Sequence, residues 1–390
     1  MKLILHIGTH KTGTTALQQF LYANRQSLAN LGLHYATPGH GLQEASVIAN
    51  ALNVGQVRNV RKFLAAHVAH ARRSGAHTIL VSSENFYAMS VLAAMQRRQV
   101  CHDTLESDRA LIESLKALVP DDVLATQIVC YFRRPDRYAE SLYSQHVKRG
   151  IMFDGTFQEL LPIIEPALRY HKHMQAWSTA FGKGNCTVRQ YESVKGDIVS
   201  DFVRNVIDID DVDQFAQAQS LANERLSRDA LEFKRLRNRI ARPNERDIER
   251  TILGVVDEEL ALRRGEPSCY QDFLSPVERA EFLSRLKPEI DALEASYGVE
   301  PFPPFDRRSA EACWSPYPGL TEQRRWELES RYGRVSKRVA FRIDRLTLRS
   351  VGFLRTNLPG VDVLFDVLKA FGAKHALRRA MRHLQLGSGW

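Results

Sequence analysis

The sequence predicts an α/β protein, a three-layer sandwich around a central parallel sheet, with a basic, mainly helical C-terminal extension. Two observations predict the sheet. Four short apolar runs end in glycine or polar residues: "KLILHIG" at 2–8, "TILVSSEN" at 78–85, "QIVCYFRR" at 127–134 and "CTVRQYE" at 186–192. Continuous apolar runs of this length suit strands covered on both faces. Helical stretches separate them, and β-α-β alternation builds a parallel sheet with helices above and below. A third observation sets the extension apart. Residues 321–390 hold 15 Lys and Arg against 6 Asp and Glu, which leaves 39 of each sign before them. The whole net charge of +9 therefore belongs to the C-terminal stretch.

The elements follow in order. After the first strand, Thr14 and Thr15 are expected to cap a helix in which Leu17, Phe20, Leu21, Leu28 and Leu31 recur until Gly32. In parallel sheets ligands collect at the carboxyl ends of the strands. Attention therefore falls on Lys11–Thr15, Ser82–Asn85 and Arg133 onward. From about 221 to 298 the chain reads as helices, such as "LSRDALEFKRLRNRI" and "SPVERAEFLSRLKPEIDALEASYG". The Pro-rich "EPFPPFDRR" at 300–308 marks a boundary, dividing a main domain, 1–305, from an extension, 306–390. There Arg331, Arg334, Arg338, Arg342, Arg345 and Arg349 share one helical face. A second cluster (Lys369, Lys374, Arg378, Arg379, Arg382) accompanies the apolar Val361, Leu364, Phe365, Leu368 and Phe371. Three readings stand: a solvated helix face, attraction of an anionic acceptor, or docking on an anionic membrane surface. Aromatic residues do not interleave with the basic ones, so nucleic acid is not an expected partner.

Composition narrows the class further. At 44% apolar and 25% charged the chain reads as globular, and no apolar run approaches a membrane span. "LILHI" is too short for a signal peptide, so the expected location is cytoplasmic, membrane-peripheral if the basic stretch docks. Five dispersed cysteines without a C-x-x-C pair support neither a disulfide framework nor a zinc site. "DIDDVD" at 208–213 lacks the glycine and terminal glutamate of a calcium loop. No metal is expected.

The informative stretch is "HIGTHKTGTT" at 6–15. Gly8 and Gly13 keep the glycine spacing of the G-x-x-x-x-G-K-[ST] phosphate loop, and Thr15 its hydroxyl position. The residue before Thr15 is Thr14, however, and the lysine is Lys11. A strand, a glycine turn and a helix N-terminus together offer backbone N–H donors to a phosphate or sulfate. Lys11, at the tip, is placed to neutralise charge on a departing phosphate.

"HKTGTT" resembles the 5′-phosphosulfate loop of the sulfotransferases, usually P-K-S-G-T-T. Those enzymes move a sulfuryl group from 3′-phosphoadenosine 5′-phosphosulfate (PAPS) to an acceptor, leaving 3′,5′-ADP. "CYFRRPDRYAESLYSQ" is similar to the family's 3′-phosphate element: Arg133 ends a strand, Pro135 follows, and Ser141 lies eight residues after Arg133. An arginine fork suits a phosphate dianion. The resemblance implies a P-loop, sulfotransferase-like fold over roughly residues 1–300. It assigns Lys11, Thr12, Gly13, Thr14 and Thr15 to the 5′-phosphosulfate, and Arg133 and Ser141 to the 3′-phosphate. It implies PAPS as cofactor without a metal. A glutamate before a Phe-Tyr pair, here Glu84 before Phe86-Tyr87, is similar to the base of the family's polysaccharide enzymes. That similarity makes Glu84 the expected general base and a carbohydrate or glycolipid the favoured acceptor. His10, His102 and His146 are rival bases. The sequence departs from the family pattern at His10 (usually proline), Ala16 (commonly tryptophan) and Arg134 (usually asparagine), and no late Arg-Lys-Gly segment is visible. Two alternatives remain: a P-loop kinase using Mg-ATP, and a non-catalytic nucleotide-binding member of the fold.

Overall fold

The structure, a computed structural model, describes residues 1–39, 45–91, 93, 104–149, 154–216, 226–240, 252–260 and 272–349. Two compact units divide the chain. The first comprises Met1–Leu142, Phe157–Ala222 and Leu274–Trp314; the second comprises Tyr143–Thr156, Asn223–Phe273 and Ser315–Trp390.

The first unit is built on a parallel sheet of β1 (Lys2–His6), β2 (Leu33–Tyr35), β3 (Thr78–Ser82), β4 (Ala125–Phe132) and β5 (Cys186–Gln190), in the order β2-β3-β1-β4-β5. Four of these strands coincide with the four apolar runs. The edge strand β2 does not, because three residues with a histidine at their centre are too short to give a periodic signal. Alternate residues of β4 serve opposite faces. On one face Val129 and Tyr131 join Ile4 and Leu80 in a core closed by Leu17, Phe20 and Leu21 of the Thr14–Ala23 helix and Phe202 and Val203 of the Ile198–Asn205 helix. On the other, Phe132 lies 4.3 Å from the Tyr170 ring and 5.4 Å from that of Tyr87. Tyr170 opens the Tyr170–Phe181 helix, whose Trp177 is fully buried. The unit is therefore an α/β sandwich with helices on both faces.

Strand order locates the reactive edge. The chain leaving β1 goes to the β3 side of the sheet, and the chain leaving β4 goes to the β5 side. The crevice between such diverging connections is where parallel sheets bind ligands. Here it is framed by the loop after β1 and the turn after β4.

Two helix expectations need correction. The cap of the Thr14–Ala23 helix is Gly13, in left-handed conformation, and Thr14 and Thr15 are the first helical residues. The expected continuous helix to Gly32 breaks at Asn24, followed by a separate helix, Arg25–Asn30. The Asn24 backbone N–H still donates to Phe20 O, while its side-chain amide donates to Phe20 O and Ala216 O and accepts from Ala216 N, so the break is tied to a segment distant in sequence. The late helix Pro276–Tyr297 follows its signals, with a Ser275/Glu278 capping box and Gly298 at the end.

In the second unit, Ser227 caps the Arg228–Asn238 helix. The Glu322–Arg349 helix carries the arginine series from 331 to 349, as its spacing predicts. Arg324 bonds Asp229, and Arg331 lies 3.5 Å from Glu259. The cluster from Lys369 to Arg382 and the apolar residues with it lie outside the described residues. Among the described residues no helix is long and apolar enough to cross a membrane.

One buried ion network fixes the chain directly after β4. Arg279 is 1% exposed and donates to both Asp136 and Glu140; Arg134 donates to both Asp136 oxygens, at 2.7 and 3.0 Å. Burial raises the Asp136 pKa, but Arg134 and Arg279 outweigh it and hold the carboxyl below its ordinary value. A depressed carboxylate stabilises the fold above the unfolded pKa and loses that contribution as pH falls. The stability that Asp136 contributes is therefore lost as pH falls below about 4, and that loss is absent in Asp136→Asn, as acid titration of the two proteins followed by circular dichroism would show. Arg279→Met leaves two buried carboxylates short of a partner and lowers stability by about 3–5 kcal/mol in urea unfolding.

Candidate functional site

The loop between β1 and the Thr14–Ala23 helix is held in a conformation that ordinary residues avoid. Gly8, Lys11 and Gly13 have φ of 46°, 69° and 75°. A Cβ on Gly8 would come within 3.0 Å of Thr14 Cγ2, and one on Gly13 within 3.1 Å of Ile198 Cγ2. Both positions thus favour glycine by their positive φ, and a Cβ at either would make its side-chain neighbour shift by a few tenths of an ångström. Lys11 holds the same left-handed region with a side chain, at a cost of about 1–2 kcal/mol. The loop is bound to β4 and to itself: Thr9 Oγ1 donates to Tyr131 O at 2.9 Å, and Thr12 Oγ1 donates to Thr9 O at 2.6 Å. The helix that follows has no side-chain cap and no acidic residue in its first turn. Its terminal amides and the positive end of its dipole are compatible with an anion.

The expected loop residues separate by environment. Thr12 and Thr14 are buried, and the Thr12 hydroxyl is committed inside the loop. Thr15 is exposed, and Lys11 and Gly13 are partly exposed.

Arg133 reaches this loop from β4. It is 9% exposed, and its Nη1 donates to Lys11 O at 3.4 Å across 122 residues of sequence. Its guanidinium lies 5.8 Å from the Tyr191 ring centre, and Tyr170 Oη holds its carbonyl at 2.8 Å. Arg134 does not face solvent: besides Asp136 it donates to Pro303 O at 3.0 Å, and its backbone N–H donates to Glu192 Oε1 at 2.9 Å. Of two adjacent arginines one therefore serves the loop and the other the scaffold. Ser141 is partly exposed, two turns into the Pro135–Arg149 helix that starts beyond Arg133.

Glu84 stands just past β3, on the other side of β1. Ser83 N donates to His6 O at 3.0 Å, and the Ser83 hydroxyl caps the short turn Glu84–Phe86. Tyr87 and Ser90 fix the exit, through Tyr87 Oη to Ala167 O and Ser90 N to Asp108, both at 2.8 Å. One Glu84 oxygen accepts from Gln18 Nε2 at 3.0 Å; the other lies 3.7 Å from His10 Nδ1. Gln18 also reaches Ser82 Oγ at 3.4 Å, which pairs with His6 Nδ1 at 2.8 Å. Burial raises the Glu84 pKa, but His10, its own backbone amide and Gln18 outweigh it and bring the carboxyl to about 2. Burial takes His6 down to about 4, against the opposing charge of Glu84. His6 is accordingly neutral, and Glu84 an anion, near pH 7.

The structure brings together Lys11, Arg133 and the loop, and sets Glu84 on the same edge beside His10. His102 lies outside the described residues, and His146 belongs to the second unit. Sequence reasoning did not find the network beneath the loop. Its available signals were His6 interrupting an apolar strand and Gln18, polar on the apolar side of its helix. Neither shows its partner without the register that sets His6 opposite Ser82.

No protein-family model matches the chain, and no curated protein does. Among solved structures it is similar to a sulfotransferase from Alicyclobacillus acidocaldarius at 12% identity and a TM-score of 0.37, over 76% of this chain and 96% of that one.

The loop geometry is testable without a ligand. Lys11→Gly is expected to exceed Lys11→Ala in stability by roughly 1 kcal/mol, since glycine adopts φ near 69° without strain. Urea midpoints of the two variants make the comparison.

Proposed function

We propose that the protein is a PAPS-dependent sulfotransferase, with the loop and Lys11 receiving the 5′-phosphosulfate and Arg133 and Ser141 the 3′-phosphate. The contact between the Arg133 guanidinium and the Lys11 carbonyl carries this reading. It joins two anion-binding elements, distant in sequence, at the one crevice that the strand order favours. Bound there, PAPS would supply an activated sulfuryl group and a 3′,5′-bisphosphate leaving group. The uncapped helix start accepts negative charge, Lys11 balances the charge that grows on the departing phosphate, and Arg133 offers a planar fork to the second phosphate. Glu84 supplies the negative charge that helps draw the proton from the acceptor. A Walker lysine beside the Ser/Thr, as a triphosphate enzyme uses, is replaced by Thr14. The acceptor we assign is a carbohydrate or glycolipid hydroxyl, on the acidic group after β3 and the basic stretch 321–390.

Calorimetry of the full chain with 3′,5′-ADP and with Mg-ATP tests the reading. The expected outcome is 3′,5′-ADP binding without magnesium and no comparable affinity for Mg-ATP; failure to bind 3′,5′-ADP defeats it. Arg133→Ala should weaken 3′,5′-ADP roughly 10- to 100-fold, the loss expected for a charge-assisted contact. Arg133→Lys should not restore it, because the ammonium lacks the fork.

A further inference from the structure

A base is most effective when its pKa lies near the working pH. Glu84 is far from that condition, since the contacts that hold it in place also stabilise its anion. Its two oxygens are directed at Gln18 and at His10, whose Nδ1 is 3.7 Å away. That separation is longer than a hydrogen bond, and catalytic bonds of this kind commonly tighten when substrate arrives. A carboxylate facing Nδ1 favours the tautomer with the proton there and leaves a lone pair on Nε2. His10 Nε2 is shielded from solvent and has no protein partner. His6 also has an unpartnered Nε2, but its Nδ1 is paired with Ser82 Oγ at 2.8 Å, whereas His10 Nδ1 faces the Glu84 carboxylate. His10 is also the residue before Lys11, so it sits in the loop assigned to the phosphosulfate.

We propose that His10 Nε2 is the proton acceptor of the transfer and Glu84 its positioning residue, an assignment that rests on the sulfotransferase reading of the same site. The acceptor O–H gives its proton to Nε2, and the oxygen's freed electron pair forms the new bond to sulfur. The pair of the breaking sulfur–oxygen bond stays on the 5′-phosphate, beside Lys11. Glu84 stabilises the imidazolium that results.

Three measurements on the full chain test the assignment. First, 3′,5′-ADP should bind wild type, His10→Asn and Glu84→Gln within about threefold of one another. Absence of binding to wild type overturns the sulfotransferase reading itself, separately from the role of His10. Second, release of 3′,5′-ADP from PAPS is followed with water as acceptor. His10→Asn should lower it roughly 10²- to 10⁴-fold. A rate retained in His10→Asn overturns the assignment. Third, ring ¹⁵N NMR should show His10 protonated on Nδ1 in wild type and less so in Glu84→Gln; a proton on Nε2 in wild type also overturns it.

Discussion

The parallel pairing of β1 with β4 is the constraint on which the rest depends. Ile7 N donates to Val129 O, Thr9 Oγ1 to Tyr131 O, and Arg133 Nη1 to Lys11 O, so the ladder continues past the strands into the loop. Each contact joins residues 122 apart. The first is ordinary sheet bonding and the last is a side chain on a carbonyl, yet all follow from one register. Without it the glycine loop and the arginine turn are unrelated local motifs.

The site concentrates positive charge, and the surrounding carboxylates show how the fold tolerates it. Arg134 and Arg279 are neutralised by Asp136 and Glu140, while Glu192 accepts from the backbone at Arg134. Arg133 is directed at the loop, while its neighbour is bound to the scaffold. Glu84 is offset on the far side of β1, where Gln18 and His10 hold it as an anion. Arginine and lysine on one side of β1 and a carboxylate on the other thus occupy one sheet edge.

Much of this architecture was legible in the residues. Four strands coincide with four apolar runs because strands buried on both faces must be apolar throughout. Gly8 and Gly13 were legible because few other residues tolerate their backbone conformation. The edge strand β2 and the break at Asn24 were not. A three-residue strand has no period to detect, and the Asn24 amide leaves its helix for Ala216, 192 residues away.

The sequence by itself determined the loop, its displaced lysine, the strand-ending arginine and the carboxylate after "TILVSS", since each is a local feature of residue type and spacing. Only the tertiary structure decided which of two adjacent arginines serves the loop, and that His10 rather than a distant histidine stands beside Glu84. Both outcomes depend on strand order and register, which are set by packing between residues remote in sequence. No local pattern encodes the charge state of Glu84 either. It follows from burial opposed by His10, its own backbone amide and Gln18, all assembled by the fold.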